Sequence, residues 1–304
     1  MEESRKYLII IAGPTAIGKT DLAIKVAKEF ETEIISADAR QLYKEMNIGT
    51  AKPDAQQLAA VKHHFIDTLS IDESYNAGKF ETDALKVLEE LYETKDVVVM
   101  AGGSGLYINA VRFGIDEMPD IDTEIRNAIK EDFAKHGIAY LQEELLRSDS
   151  EYHAKVDLAN PSRLMRALEV FRATGIPYSN FLNKEKKPRP FEEIYIGLNT
   201  DRKQLYKRIN QRVDTMIQDG LEEEVRSLMS HEGTNAMQTV GYREWFEYLD
   251  GKDTKESVIE AIKQHTRNYA KRQLTWFNRD ERIKWFFPFE KDAILDYISE
   301  RRNG

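Results

Sequence analysis

GPTAIGKT at residues 13–20 has the residue types to hold a polyphosphate. Gly13 and Gly18 let the backbone curl so that its N–H groups face phosphate oxygens. Lys19 adds a mobile positive charge, and Thr20 a hydroxyl suited to a magnesium ion. Thr15 is a further hydroxyl inside the loop. Two more polar residues stand where apolar runs end. Asp38 follows EIIS at 33–36, and Ser104 sits in the Gly-rich turn after VVVMA at 97–101. In a parallel α/β sheet, ligands gather outside the carboxyl ends of the strands. The loop, Asp38 and the Ser104 turn are therefore expected to share one ligand. Turn and cap roles for Asp38 and Ser104 are the structural alternatives.

The flanking elements fit that placement. A β-branched run at 7–12 precedes the loop, and Leu22, Ala23, Val26, Ala27 and Phe30 follow at helical spacing. This strand–loop–helix context is the one the motif requires. Residues 41–53 read as a short helix and then a loop. His63 and His64 form a brief strand or its approach, and as neighbours on opposite faces they are structural or solvated rather than metal ligands. Residues 77–94 form an amphipathic helix through Phe80, Ala84, Val87, Leu88 and Leu91. The strand at 96–101 ends in GGSG without the Asp with which P-loop ATPases and GTPases hold magnesium.

From residue 116 strand-like runs vanish until Ile194, so residues 121–185 read as helices inserted between sheet elements. Asn160 and Pro161 are a helix start; Leu164, Leu168 and Phe171 share one face, and Arg163 and Arg166 a neighbouring one. Lys184, Lys186, Lys187 and Arg189 cluster among prolines. After the strand at 193–198 the chain reads as helical. Leu205, Ile209, Val213 and Met216 face inward, Arg208 and Arg212 lie one turn apart, and the aromatics of 238–249 read as core. Residues 263–279 carry Lys263, Arg267, Lys271, Arg272 and Arg279 with no Asp or Glu. Lys263, Arg267 and Lys271 form one helical stripe.

Composition bounds the rest. The 304 residues suffice for one large or two modest domains; 41% are hydrophobic, 32% charged and none is Cys, excluding disulfides and thiolate metal sites. No run approaches the roughly 20 apolar residues of a membrane span, and the N-terminus lacks signal-peptide character, so a cytoplasmic protein is expected. The net charge of −9 means that any RNA must be held on a locally basic face.

Taken together, GPTAIGKT (13–20), SAD (36–38) with Gln41 and Tyr43, IGTAKP (48–53), GGSGLY (102–107), RLMRALEV (163–170), QTVGYRE (238–244) and AKRQLTW (270–276) closely resemble the bacterial tRNA dimethylallyltransferases, in family order over nearly the whole chain. The resemblance implies an α/β fold: a P-loop NTPase-like parallel sheet core (1–116 and 192–304), a helical C-terminal part, and an all-helical tRNA-binding insertion (117–191). It implies transfer of a dimethylallyl group from dimethylallyl diphosphate to N6 of the adenosine 3′ of the tRNA anticodon. Mg2+ would sit at Thr20. Gly13, Thr15, Gly18, Lys19 and Thr20 would bind the diphosphate. Asp38, Ser104 and Arg212 would be catalytic, Asp38 as general base. Asp38, Ala39, Arg40, Gln41, Ser104, Arg126, Arg163, Arg166, Arg243, Arg267, Lys271 and Arg272 would face tRNA. The family suggests a monomer with no obligate protein partner.

Three positions depart from the family pattern: Ala39 and Ile17, each commonly Ser there, and Ser104, often Thr. A small-molecule kinase, an adenylate isopentenyltransferase acting on free nucleotide, and a non-catalytic RNA-binding protein are the alternatives. The DDxxD motif of chain-elongating prenyltransferases is absent.

Overall fold

The structure is a computed structural model describing residues 5–182 and 186–303; Lys184 lies outside the described residues. Its strands are β1 (Tyr7–Ala12), β2 (Ile34–Ala37), β3 (His63–His64), β4 (Val97–Gly102), β5 (Glu192–Leu198) and β6 (Lys284–Phe286). They form one parallel sheet in the order β3-β2-β4-β1-β5-β6. The helices are α1 (Lys19–Glu29), α2 (Ala55–Ala60), α3 (Ala77–Tyr92), α4 (Gly105–Phe113), α5 (Thr123–Ser148), α6 (Ser150–His153), α7 (Pro161–Thr174), α8 (Arg202–Gln218), α9 (Leu221–Ser227), α10 (Phe246–Leu249), α11 (Lys255–Phe277) and α12 (Lys291–Asn303).

Every side chain of β1 is buried, and only the Tyr7 hydroxyl, which donates to the Arg302 carbonyl, is polar, as a strand covered on both faces requires. Leu8, Ile9, Ile10 and Ile11 are wholly inaccessible. Each contributes on the order of 1.5–3 kcal/mol by burial, so the loop that follows hangs from a fully buried strand. β1 pairs with β4 on one side and β5 on the other. Its carboxyl end thus opens where the strand order reverses, at the switch point that favours ligands.

Two compact units divide the chain: Met1–Phe113 with Pro188–Gly304, and Gly114–Lys187, against the 117–191 expected for the insertion. In the second unit the stretch Thr123–Ser148 breaks at Gly137, whose φ of 75° is non-helical. Ile129, Leu141 and Leu145 pack with Leu164, Ala167 and Leu168 of α7 as a core. The Asn160 side chain caps α7 by accepting from the Arg163 N–H, with Pro161 in the first turn.

Two expectations need correction. Residues 41–53 form successive turns rather than a helix. Side chains satisfy their backbone: Gln41 donates to the carbonyls of Thr50 and Ala51, Lys52 to that of Tyr43, and Ala51 takes a positive φ of 50°. The helix comes later, at α2, where Asp54 and Gln57 form a reciprocal capping box. The region after residue 198 is also not all helical, because β6 extends the sheet beside β5. Three residues are too few for a strand's alternation to register. No described helix is long and apolar enough to cross a membrane.

Candidate active site

Gly18, with φ 102°, and Ala16, with φ 63°, turn the backbone of residues 13–18 into a left-handed curl before α1. Such a curl gathers N–H groups toward an anion, and the helix N-terminus adds partial positive charge. The Lys19 ammonium folds back onto the carbonyls of Gly13 and Pro14, at 3.0 and 2.8 Å. Burial pulls its pKa down to about 8; the Asp38 charge opposes the shift and the Arg212 charge assists it. Arg212 is itself lowered, chiefly by burial and then by Arg208, with Asp21 and Asp38 opposing. It stays a cation at any working pH.

A bound diphosphate would supply the counter-charge that Lys19 lacks and raise its pKa. Lys19 itself therefore adds no pH dependence to diphosphate affinity below pH 8. Above pH 8 its contribution should fall by up to about tenfold per pH unit, as binding there takes up a proton. Calorimetric titration of the wild type and Lys19→Ala with inorganic diphosphate at pH 7 and pH 9 checks this, because the ligand's own titration cancels in the ratio of the two affinities. A ratio unchanged between pH 7 and pH 9 would show that Lys19 is already fully charged in the free protein.

Two cavities meet at this loop. The first, of about 240 Å³, is lined by the loop from Thr15 to Thr20 and by Asp38, Arg212 and Gln273. The second, of about 380 Å³, is lined by Ala39, Arg40, Ser104, Arg243 and Arg272, with Val213, Met216 and Ile262 as apolar wall. Thr15, Asp38, Arg212 and Tyr269 belong to both. A carboxylate and a guanidinium thus stand between the cavity of the Gly-rich loop and a more apolar one. Beside them an opening of about 450 Å³ is lined by Lys52, Arg208 and Arg212.

Asp38 follows β2, and its carboxylate accepts from the Arg40 N–H at 3.0 Å, so the turn role and a site position coexist. Ser104 does not cap its own helix by its side chain. Its hydroxyl accepts from the Ala39 N–H at 3.0 Å and ties the end of β2 to the end of β4. The Gln41 side chain is engaged by the 50–51 carbonyls, and Arg40 reaches Asn235. On α11 the basic stripe is partly neutralised: Lys263 pairs with Asp214 and Glu260, and Arg267 bonds Asn210, whereas Lys271 is exposed. Arg243 lies against Glu244. In the second unit Arg126 and Arg163 are exposed, and Arg166 pairs with Glu169. Glu33 binds His64, and no group of three metal-ligating side chains occurs among the described residues.

A family model described as IPP transferase matches residues 41–280. The chain belongs to the IPP transferase family. It is 52% identical over 298 residues to the tRNA dimethylallyltransferase of Christiangramia forsetii, covering 98% of this chain and 99% of that one. The enzyme of that name from Flavobacterium johnsoniae is 49% identical over 302 residues, 97% of this chain and 98% of that one. Among solved structures, the tRNA isopentenylpyrophosphate transferase of Bacillus halodurans superposes with a TM-score of 0.73 at 34% identity, over 98% of this chain and 97% of that one. A eukaryotic dimethylallyltransferase acting on tRNA, 24% identical, shares the fold with a TM-score of 0.79 over 97% of this chain and 77% of that one.

Two residues of this IPP transferase escape a reading of motifs for chemistry. Gln273 is buried on α11; it accepts from the Thr15 N–H at 2.8 Å and donates to the Gly103 carbonyl at 3.0 Å. It joins the phosphate loop to the Ser104 turn. Glu224, in the first turn of α9, accepts from the N–H groups of Asn47, Ile48 and Gly49 and from the Tyr242 hydroxyl. Its carboxylate holds the loop that carries Thr50 and Ala51 into both cavities. Glu224→Gln replaces an acceptor oxygen with a donor facing N–H groups and is expected to cost about 2 kcal/mol. Tyr242→Phe removes one hydrogen bond and is expected to cost about 1 kcal/mol. Urea unfolding midpoints check both; an unshifted Glu224→Gln midpoint would mean the loop holds its place without the clamp.

Proposed function

We propose that this chain transfers a dimethylallyl group from dimethylallyl diphosphate to N6 of the adenosine 3′ of a tRNA anticodon. The observation that carries the reading is Asp38 and Arg212 in the shared wall of the two cavities, in a chain of this family. The diphosphate belongs in the phosphate-loop cavity, and the adenine in the second. The allylic C–O bond breaks as the bond from that carbon to N6 forms, and the diphosphate leaves with the C–O electron pair. Lys19 and Arg212 offset the charge that develops on the leaving group, and the hydroxyls of Thr15 and Ser104 donate to its oxygens. The N6 amine is a poor nucleophile because its lone pair is delocalised into the ring. Asp38 accepts its proton as the bond forms.

Magnesium fits the donor set. Mg2+ is held by one or two protein groups together with substrate phosphates and water, and Thr20 offers one hydroxyl at the loop. When bound there, the ion would neutralise diphosphate charge. The adenine must leave the base stack to reach Asp38. Lys271, Arg272 and Arg243 beside the second cavity, with Ala39, Arg40, Gln41 and Arg267, are assigned to the RNA. Arg126, Arg163 and Arg166 of the second unit are assigned to tRNA.

Nucleoside analysis of unmodified tRNA incubated with protein, dimethylallyl diphosphate and Mg2+ tests the proposal. N6-dimethylallyladenosine next to the anticodon is expected. Its absence with folded protein would refute the reading.

A further inference from the structure

The buried face of α11 is apolar except at one point. Val258, Ile262, Ala270 and Phe277 lie on it, and so does Gln273. A buried amide costs stability unless its polar atoms are paired. Here both ends are engaged. The oxygen accepts from the Thr15 N–H at 2.8 Å, and the nitrogen donates to the Gly103 carbonyl at 3.0 Å. A backbone N–H only donates and a carbonyl only accepts, so these two partners fix which way round the amide lies. An ionised Glu could only accept, and Leu could do neither. The approach is also close: a Cβ at Gly103 would stand 2.3 Å from the Gln273 Nε2.

Beyond Gly103 the ties continue toward β2. The Ser104 N–H donates to the Ala37 carbonyl at 3.1 Å, and the Ser104 hydroxyl accepts from the Ala39 N–H at 3.0 Å. A Cβ at Gly102 would stand 2.0 Å from that same Ala37 carbonyl oxygen, so the two strand ends lie against each other. Hydrogen bonds thus link Thr15, through Gln273 and the Gly103–Ser104 turn, to Ala39, the neighbour of Asp38. They cross the carboxyl ends of β1, β4 and β2 in the order in which those strands lie in the sheet. The ladder between β1 and β4 reaches only to Ala12 and Gly102, and Gln273 spans the gap beyond it.

We infer that Gln273 is a positioning residue for the transfer: it holds Thr15 and the Ser104 turn, and with them the leaving diphosphate, in line with Asp38. The inference rests on the tRNA-prenylation reading and deepens it. In a displacement at carbon the attacking nitrogen, the carbon and the leaving oxygen must line up, and a misplacement of about 1 Å can cost on the order of 100-fold. The Gln273 oxygen and nitrogen are already engaged by backbone. Gln273 therefore acts through the hydroxyls of Thr15 and Ser104, not as a catalytic group of its own.

Gln273→Met keeps the length and the packing of the side chain and removes both bonds. Single-turnover transfer to an unmodified anticodon stem-loop, with donor and RNA saturating, is expected to fall about 100-fold. The donor KM and the stem-loop affinity should change by less than about threefold. A side chain that only filled space would show the reverse, a raised donor KM or a lower unfolding midpoint with the saturated rate intact. Double-mutant cycles locate the action. In a Thr15→Val or a Ser104→Ala background, Gln273→Met should cost at least about tenfold less than it does alone, in one of the two or in both. Additive losses in both cycles, or a saturated rate within about threefold of wild type, would overturn the proposal. Should Gln273→Met fail to fold, Gln273→Glu goes through the same cycles. It is isosteric and still accepts from the Thr15 N–H, so its interaction is expected with Ser104→Ala. Wild-type protein is the reference throughout. No wild-type transfer to the stem-loop would sink the tRNA reading itself, whereas normal wild-type transfer with additive losses would remove only the role of Gln273.

Discussion

Asp38→Ala is expected to lower single-turnover dimethylallyl transfer by about 100- to 10,000-fold, the usual worth of a positioned general base. RNA affinity should change little, because the Asp38 carboxylate contacts the Arg40 N–H and the cavities rather than a basic partner facing RNA. The variant keeps the phosphate loop, so donor binding should also survive. Near-normal turnover would remove Asp38 as the proton acceptor and move that role to water or to the diphosphate itself. The Asx turn at Arg40 is lost in the same variant. Asp38→Asn separates the two effects, since its side-chain oxygen still accepts from the Arg40 N–H while the basic carboxylate is gone. It should be as inactive as Asp38→Ala.

Lys19→Ala should be the second large loss. It removes a charge already placed against the loop carbonyls of Gly13 and Pro14. Removing one preorganised donor to a developing anion costs about 100- to 1,000-fold in turnover. Part should appear as weaker diphosphate binding, because Lys19 meets the diphosphate before and after bond breaking. Steady-state kinetics with the donor varied, beside calorimetric titration with diphosphate, divide the two. Unchanged affinity and turnover would mean that Arg212, Arg208 and magnesium carry the charge without Lys19. The ratio of wild-type to Lys19→Ala diphosphate affinity should also fall above pH 8, which ties that pH dependence to this side chain.

Much of this arrangement is legible in the sequence where the chemistry is local. GPTAIGKT declares its geometry because a tight left-handed curl needs small residues at fixed offsets, and β1 declares itself because burial on both faces leaves only apolar side chains after Tyr7. Asp38 and Ser104 are legible from their place at strand ends. The turns at 41–53 were obscured because remote side chains hold them. Glu224 lies some 175 positions away, the third of three consecutive glutamates, with nothing local to separate it from its neighbours. Gln273 left a trace: a polar residue between Ala270 and Phe277 on the inward face of an otherwise amphipathic helix. The basic stripe of α11 shows what helical spacing alone leaves out. Helical spacing put Lys263 in line with Arg267 and Lys271, but only the folded chain brings Asp214 and Asn210 of α8 against it.

The central claim, that the phosphate loop holds a prenyl donor whose acceptor is tRNA, is tested most directly by one comparison. Protein is incubated with radiolabelled dimethylallyl diphosphate and Mg2+, with unmodified tRNA, AMP or ATP as acceptor. The account predicts label on tRNA alone. Label on AMP or ATP would contradict it and assign the second cavity to a free nucleotide. No label on any acceptor, with hydrolysis of ATP, would return the phosphate loop to nucleotide chemistry.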